Sequence, residues 1–191
     1  MGRNRHSAAM AILKIAKMGH PILLRPADPV ADPQHPEIQR LIRDMVETMH
    51  DADGAGLAAP QVHVPLQMVV YHAPGARAES DDEPLETAPL TVLINPEIEP
   101  LGEEVSRGWE GCLSVPGLRG EVERANHIAY RALNEKGESV EGEAKGFHAR
   151  VIQHECDHLV GVLYPQRMTD LSKLIFESEI KHLIVSEGED E

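Results

Sequence analysis

Apolar residues recur every three to four positions between Pro36 and His50, which is the spacing of an α-helix with one buried face. Pro36 suits the first turn of a helix, where a backbone N–H has no partner within the helix. The dipeptide Asp53-Gly54 follows and is typical of a turn. We therefore predict an amphipathic helix over 36–50, whose buried positions are Ile38, Leu41, Ile42, Met45, Val46 and Met49.

Three further segments are rich in the β-branched and apolar residues that are typical of strands. They cover residues 67–71, 90–94 and 122–133, the last with only partial alternation of apolar and polar positions. Between the first two, the stretch from Pro74 to Pro89 is rich in Pro, Gly, Ser and acidic residues. Such a composition predicts an exposed loop.

Two more helices are predicted in the second half of the chain. One covers 146–160 and ends near Gly161, with Pro165 beyond it. The other covers 171–185 and carries its apolar residues on one side. Strands precede a central helix, and neither an internal repeat nor a repeated strand–helix–strand unit is visible. This order favours an α+β fold.

A single domain is predicted over 10–185. Residues 1–9 carry basic side chains without the apolar segment of a signal peptide, so we expect a disordered leader, with Met10 as the start of the domain. Residues 186–191 form an acidic tail. Because no apolar run approaches the roughly 18 residues that span a bilayer, we expect no membrane partner.

The length, net charge and cysteine count of the chain limit the number of domains and the kinds of partner that it can have. The 191 residues suffice for one hydrophobic core and are few for two. The formal charge of −14 argues against nucleic acid as a partner, because binding to phosphate needs clustered Lys and Arg. The two cysteines are too few for a disulfide framework and fit a reducing compartment, where a thiol can bind a metal.

The segment from His154 to His158 has the pattern H-E-x-x-H. Side chains four apart on a helix differ by about 40° around its axis, so both imidazoles point the same way. They offer two nitrogen ligands to one metal ion, with Glu155 beside them as a proton acceptor. Phe147 and Val151 lie on the same face of the helix as the two histidines. Their position predicts an apolar wall beside the ion. For this segment alone, the alternative is a helix with two surface histidines.

A third ligand has to come from elsewhere in the chain. Cys156 points about 200° away from the first histidine and is expected to be a buried, inert thiol. Tyr164 stands where one class of zinc peptidase has a third histidine. Glu177 and Glu179 lie about where another class has a glutamate ligand, although they also fit the polar face of a helix.

Cys112 is a stronger candidate for the third ligand. It lies in the short polar stretch E-G-C-L-S, beside a glycine, and is expected to be accessible. A nearby cation would lower its pKa and hold it as a thiolate. Since a lone cysteine is more often structural, the downstream glutamates remain an alternative at this point.

Three segments of the chain, in this order, resemble the motifs of the peptide deformylase family. The stretch from Gly54 to Gln61 is similar to G-x-G-L-A-A-x-Q, residues 110–114 are E-G-C-L-S, and residues 153–158 are similar to Q-H-E-x-D-H. The similarity extends from about residue 12 to residue 168. The longer form E-G-C-L-S-V-P-G-x-R resembles a subgroup that some bacteria and organelles share.

The resemblance implies a metal centre. Cys112, His154 and His158 match the family's metal ligands, and Glu155 matches its general acid and base. The implied fold is a compact α+β domain with antiparallel strands around a central H-E-x-x-H helix. The implied cofactor is one Fe²⁺ ion per chain, which Zn²⁺, Ni²⁺ or Co²⁺ can replace.

Further roles follow from the same resemblance. Gln61 and the backbone N–H of Leu113 match the groups that stabilise the oxyanion. Gly56 matches the residue whose backbone contacts the substrate. Glu110 with Arg124 matches a structural ion pair.

The substrate pocket combines matched residues with two departures from commoner members of the family. Phe147 and Val151 are implied to line the pocket for a methionine side chain. Trp109 precedes the E-G-C-L-S stretch, and Arg150 lies on the pocket side of the helix, so both are expected to shape the substrate-binding rim.

The implied activity is removal of the formyl group from the N-terminal methionine of newly made polypeptides, with release of formate. The implied partners are nascent formyl-methionyl chains, with transient proximity to the ribosome, although the acidic tail disfavours direct attachment to RNA. The expected compartment is a bacterial-type cytoplasm, with an organelle as the alternative. Two other functions stay open: a zinc peptidase with a downstream glutamate ligand, and a non-catalytic module that binds formyl-methionine.

Overall fold

The computed structural model describes residues 11–73 and 86–182. Within these ranges the helices are α1 (Pro36–Asp51) and α2 (Gly146–Leu159). The strands are β1 (Gly56–Ala58), β2 (Met68–Ala73), β3 (Ala88–Pro100), β4 (Val105–Cys112), β5 (Val115–Ala125), β6 (His127–Leu133), β7 (Ser139–Lys145) and β8 (Leu174–Phe176). The predicted leader with Met10, the acidic tail and residues 74–85 of the predicted loop lie outside the described residues.

The strands form two antiparallel sheets. The larger sheet has the order β1-β2-β3-β6-β7, and the smaller one has the order β4-β5-β8. The predicted strand over 122–133 is wrong as one element, because β5 ends at Ala125 and β6 begins at His127. Since β5 pairs with β4 and β6 pairs with β3 and β7, the chain changes sheet at Asn126.

Both faces of the larger sheet are covered, one by each helix. Met68 and Val70 of β2 pack in a cluster with Met45 of α1. Val69, the residue between them, faces the other side and packs in a cluster with Ile152 of α2. Consecutive apolar residues in β2 are therefore explained by burial on both faces. The predicted helices over 36–50 and 146–160 are confirmed, and no helix within the described ranges has the length and apolar character of a membrane span.

The predicted helix over 171–185 is wrong for residues 171–179. Two 3₁₀ turns and strand β8 take its place. β8 pairs with β5, and Leu174 packs against the cluster that contains Tyr164. The edge of β5 thus offers backbone partners and burial together, which outweighs local helix propensity. Residues 183–185 lie outside the described part of the chain.

A segment at the start of the described chain, residues 11–28, connects several elements; it includes one 3₁₀ turn, Pro21–Leu24, and we call it the N-terminal strap. The N–H of Ala16 donates to the carbonyl of Gln61 at 2.7 Å, and the N–H of Met18 donates to the carbonyl of Ser114 at 2.8 Å. A third backbone bond from the strap ends at the last residue of α2. The strap therefore holds together the loop after β1, the turn between β4 and β5, and the end of α2.

Candidate metal centre

Three side chains from two distant parts of the chain meet between α2 and the smaller sheet, and Cys112 and His154 among them line a cleft. His154 and His158 lie one turn apart on α2, and Cys112 is the last residue of β4. Their candidate ligand atoms all lie within 4.8 Å of one another. Over residues 11–73 and 86–182, no other set of three His, Cys, Asp or Glu residues has this geometry. The structure thus brings together the three ligands that the sequence predicts.

The chemistry and spacing of these donors fit a divalent transition metal. Bonds of about 2.3 Å to sulfur and 2.0 Å to nitrogen, in a tetrahedral arrangement, place the two ligand atoms roughly 3.5 Å apart. Cys112 Sγ and His158 Nε2 are 3.4 Å apart. Beside them, the buried Oε2 of Glu155 has no hydrogen-bond partner among the described residues. The set can therefore close around one ion and still leave a polar acceptor next to it.

The downstream glutamates do not belong to this cluster. Oε1 of Glu177 accepts hydrogen bonds from Nε and Nη2 of Arg119, at 3.1 and 2.7 Å, on the outer wall of the cleft. Glu179 is exposed and accepts a bond from Ser178 at 3.0 Å. The structure favours Cys112 over either glutamate as the third ligand.

Glu110 fixes the first histidine. Its Oε2 accepts the Nδ1–H of His154 at 2.8 Å, which leaves Nε2 of that ring available to a metal. Nε and Nη2 of Arg124 donate to the two oxygens of Glu110, both at 2.9 Å. Burial acts to raise the pKa of Glu110, but the hydrogen bonds from Arg124 and His154 hold that pKa well below its usual range. The predicted ion pair between Glu110 and Arg124 is confirmed.

Two polar residues of α2 hold the helix against β5. The side-chain amide of Gln153 donates to the carbonyl of Ala125 at 2.8 Å and accepts from its N–H at 3.2 Å. The carboxylate of Asp157 accepts from Arg124 at 2.5 Å and from Arg167 at 2.6 Å. Neither Gln153 nor Asp157 lines the cleft, so their place in the motif is explained by helix packing.

Glu155 lies directly against the backbone of β1. A Cβ added to Gly56 would lie 2.3 Å from Oε1 of Glu155, so a side chain at that position would displace the carboxylate. Burial raises the pKa of Glu155 to about 7, and the nearby imidazole of His154 acts in the opposite direction. A carboxyl group with a pKa near neutrality can both take up and release a proton.

Gln61 reaches the centre from the loop after β1. Its Oε1 accepts the N–H of Ala58 at 2.8 Å, which fixes the amide. Its Nε2 lies 3.5 Å from Cys112 Sγ and donates to the hydroxyl of Ser114 at 3.1 Å. The amide donor therefore stands beside the candidate metal ligands, as the family resemblance implies. The contact with Ser114 was not predicted, although a serine two residues after a candidate ligand is a signal that could have suggested it.

The cleft beside these groups has a volume of about 430 Å³. Phe147 and Val151 line it, as the helical spacing predicts, and Leu113 also lines it. Trp109 lies at the rim and is 40% exposed. Arg150 also borders the cleft, but its guanidinium donates mainly to β4 and β5. The apolar wall next to the ligands suits an apolar side chain.

Cys156 and Tyr164, the two residues set aside as metal ligands, make packing contacts. Cys156 packs in the core between α2 and the larger sheet, and burial raises the pKa of its thiol to about 12. The predicted burial of this thiol is therefore confirmed, and its inertness stays a prediction. The ring of Tyr164 stacks on His154 with ring centroids 6.2 Å apart, a contact that the sequence did not predict.

Comparison with known proteins gives one consistent family. The sequence model described as polypeptide deformylase matches residues 12–174. Peptide deformylase 1 of Bordetella pertussis is 54% identical over 159 residues, which cover 83% of this chain and 89% of that protein. The class I type b peptide deformylase from Acinetobacter baumannii with Met-Ala-Ser bound has 37% identity and a TM-score of 0.75, covering 84% of this chain and 100% of that one. The peptide deformylase from Thermotoga maritima has 36% identity and a TM-score of 0.73, over 83% of this chain and 99% of that one.

Proposed function

This chain belongs to the polypeptide deformylase family, and we propose that the cleft at Cys112, His154 and His158 is its active site. The compact α+β fold is that of the family. The enzyme is a metal-dependent hydrolase that removes the N-formyl group from newly made polypeptides. The observation that carries the site assignment is the meeting of one thiol and two imidazoles within 4.8 Å.

Glu155 is the group placed to move protons. Its Oε2, which has no hydrogen-bond partner in the described part of the chain, takes a proton from the attacking water and later delivers it to the departing amine nitrogen. As the C–N bond breaks, formate leaves and the peptide keeps a free amino terminus. The divalent ion, when bound, lowers the pKa of water and polarises the formyl carbonyl.

Two N–H groups next to Cys112 are the proposed donors to the charge that develops on the formyl oxygen. One is Nε2 of Gln61, whose amide is held in place by its bond to Ala58. The other is the backbone N–H of Leu113, the residue that follows the cysteine ligand. Because such donors are fixed before the reaction begins, they stabilise the transition state without reorganisation.

The substrate is proposed to place its methionine side chain against Phe147 and Val151. Gly56 offers backbone atoms to the peptide next to Glu155, and Trp109 shapes the rim. The related enzyme from Acinetobacter baumannii holds Met-Ala-Ser, a peptide of this kind. Contact between Arg150 and the substrate stays a prediction.

We expect Gly56→Ala to lower kcat/KM by about 10- to 100-fold, because displacement of a catalytic group by about 1 Å has effects of this size. The added methyl group would lie 2.3 Å from Oε1 of Glu155 and would push the carboxylate out of place. No metal ligand is touched, so metal content should remain that of the parent enzyme. Steady-state kinetics and metal analysis of the same sample check this; a variant of native activity would show that the carboxylate has room to move.

Fe²⁺ is proposed as the native ion, one per chain, with Zn²⁺, Ni²⁺ or Co²⁺ able to replace it. A thiolate with two imidazoles accepts all four ions, so the choice rests on the family resemblance. Anaerobic purification followed by metal analysis should give about one iron per chain, and activity should decline in air. A zinc-loaded enzyme whose activity is stable in air would contradict this proposal.

The function is tested by formate release from formyl-Met-Ala. Enzyme loaded with Fe²⁺ without oxygen should release one formate per peptide and leave acetyl-Met-Ala intact, because the bulkier acyl group crowds the site. A protein that binds formyl-Met-Ala but releases no formate would be the non-catalytic module. The presence of both Glu155 and Gln61 beside the ligands favours catalysis.

The partners are proposed to be nascent formyl-methionyl chains that the enzyme meets near the ribosome. The formal charge of −14 disfavours direct attachment to ribosomal RNA. A bacterial-type cytoplasm is the proposed compartment, since the relatives named above are bacterial, and an organelle is the alternative.

A further inference from the structure

The metal centre depends on the relative position of α2 and β4. α2 carries both histidines, whereas Cys112 ends β4, which lies at the edge of the smaller sheet and pairs with β5. Gln153 and Asp157 tie α2 to β5 and not to β4. The position of the cysteine relative to the histidines therefore depends on the pairing of β4 with β5 and on any direct contact between α2 and β4.

Arg150 supplies these contacts. It lies one turn before His154 on α2 and is 8% exposed. Its Nη2 donates to the carbonyl and hydroxyl oxygens of Ser106 at 2.8 and 3.2 Å. Its Nη1 donates to Oε1 of Glu110 and to the carbonyl of Val122, both at 2.9 Å. Its Nη1 also lies 3.5 Å from the carbonyl of Gly108, so one side chain of α2 joins three positions of β4 and one position of its neighbour β5.

Gly108 provides the space for this arrangement. It lies between Ser106 and Glu110, on the same face of β4 as both. A Cβ at Gly108 would lie 3.0 Å from each of three guanidinium-group atoms of Arg150. The guanidinium group therefore packs directly against the backbone of β4.

Glu110 connects this contact to the metal ligands. Its Oε1 accepts from Arg150 and its Oε2 accepts from His154, while Cys112 follows two residues later on the same strand. A shift of β4 along α2 would break the bonds of Arg150. The same shift would change the distance between Cys112 and His154, because Cys112 moves with β4 and His154 stays with α2.

We propose that Arg150 is a positioning residue that holds the strand bearing Cys112 in register with the helix bearing the two histidines. The inference rests on the proposed metal ligation and gives Arg150 a role other than substrate contact. Arginine suits the role because its planar fork of five N–H donors reaches a carboxylate and backbone carbonyls together, which the single ammonium of lysine does not. Without Arg150, Glu110 keeps its two bonds from Arg124, so the carboxylate is not left unpaired.

The test compares Arg150→Met with Arg107→Met in Ni²⁺-loaded enzyme. Arg107 lies on the exposed side of β4 and pairs with Glu123, so it is the matched control. For Arg150→Met we expect chelator-driven release of Ni²⁺ to be about 10-fold faster, which is at the low end for partners outside the ligand set. We also expect kcat to fall while KM for formyl-Met-Ala and the preference for Met over Leu stay native. Arg107→Met should match the parent enzyme, and Arg150→Lys should fall between.

Melting temperatures of the metal-free and Ni²⁺-loaded forms separate positioning from a general loss of stability. We expect Arg150→Met to lower the melting temperature more in the loaded form. Equal lowering in both forms with native Ni²⁺ release would overturn the inference, as would a raised KM or an altered side-chain preference with native release. If Arg150→Met does not fold, Arg150→Lys carries the same comparison. Failure of the parent enzyme to bind Ni²⁺ would instead count against the proposed function.

Discussion

Replacement of Glu155 by glutamine is expected to lower kcat by about 100- to 10,000-fold, the usual contribution of a general acid and base. Glutamine keeps the shape of the side chain in its narrow space beside Gly56, but it takes up no proton from water. The three metal ligands are untouched, so metal content should remain about one ion per chain. Steady-state kinetics with formyl-Met-Ala and metal analysis of the same preparation make the measurement.

Glu99→Gln is the matched control for this experiment, because Glu99 is exposed on β3 and lies outside the cleft. It should have native kcat. Stability gives a second check: the carboxylate of Glu155 is buried, and one of its oxygens has no hydrogen-bond partner among residues 11–73 and 86–182, so Glu155→Gln should not lower the melting temperature. An active Glu155→Gln enzyme would remove Glu155 from the mechanism, and loss of metal in that variant would give it a role in ion binding.

Cys112→Ser is expected to abolish stable metal binding and, with it, at least about 99% of the activity. A serine hydroxyl is a weak ligand for the transition metals that a thiolate and two imidazoles bind, and it stays protonated near neutral pH. Metal analysis after gel filtration in the presence of a weak chelator measures the first effect. Formate release measures the second.

Two control variants sharpen this experiment. Cys156→Ala removes the other thiol, which lies in the core, and should keep both metal and activity. The paired change Glu177→Ala/Glu179→Ala removes the carboxylates of the rival peptidase hypothesis and should also keep the metal. Loss of metal in the glutamate pair together with retention in Cys112→Ser would reverse the ligand assignment.

The sequence predicts the helical half of the centre well because the relevant pattern is local. Two histidines four residues apart on a helix share one face whatever surrounds them, and Phe147 and Val151 follow from the same rotation. Cys112 is different. Its meeting with the histidines depends on how the smaller sheet packs against α2, and no local pattern contains that information, so the prediction came from the family resemblance.

Several strands escaped prediction because their sequences are poor strand formers. β4 contains two glycines and three residues that are charged or polar, and β7 is similarly polar. In β4 these residues serve the site: Gly108 makes room for Arg150, and Glu110 holds His154. β8 was predicted as helix because a short apolar run is compatible with both a helix and a strand. Pairing with the edge of β5 makes it a strand.

For Arg150, the position on the helix did not predict which groups the side chain contacts. The angular position of Arg150 around the helix axis correctly places it beside the cleft, and this position suggested a contact with the substrate. A long side chain, however, ends far from its own Cα, and its partners are set by the acceptors within reach. Here those acceptors are backbone carbonyls of β4 and β5 and the carboxylate of Glu110.

The hydrogen bonds of the N-terminal strap would depend on which methionine starts translation. A gene product that began at Met18 would retain every residue that we propose to contact the metal or the peptide. It would nevertheless lack Ala16, whose N–H holds the loop of Gln61, and Leu13, whose N–H is bonded to Thr48 of α1. Such a shortened product should fold around an intact set of ligands with a loosened oxyanion donor, whereas a start at Met10 would preserve both bonds.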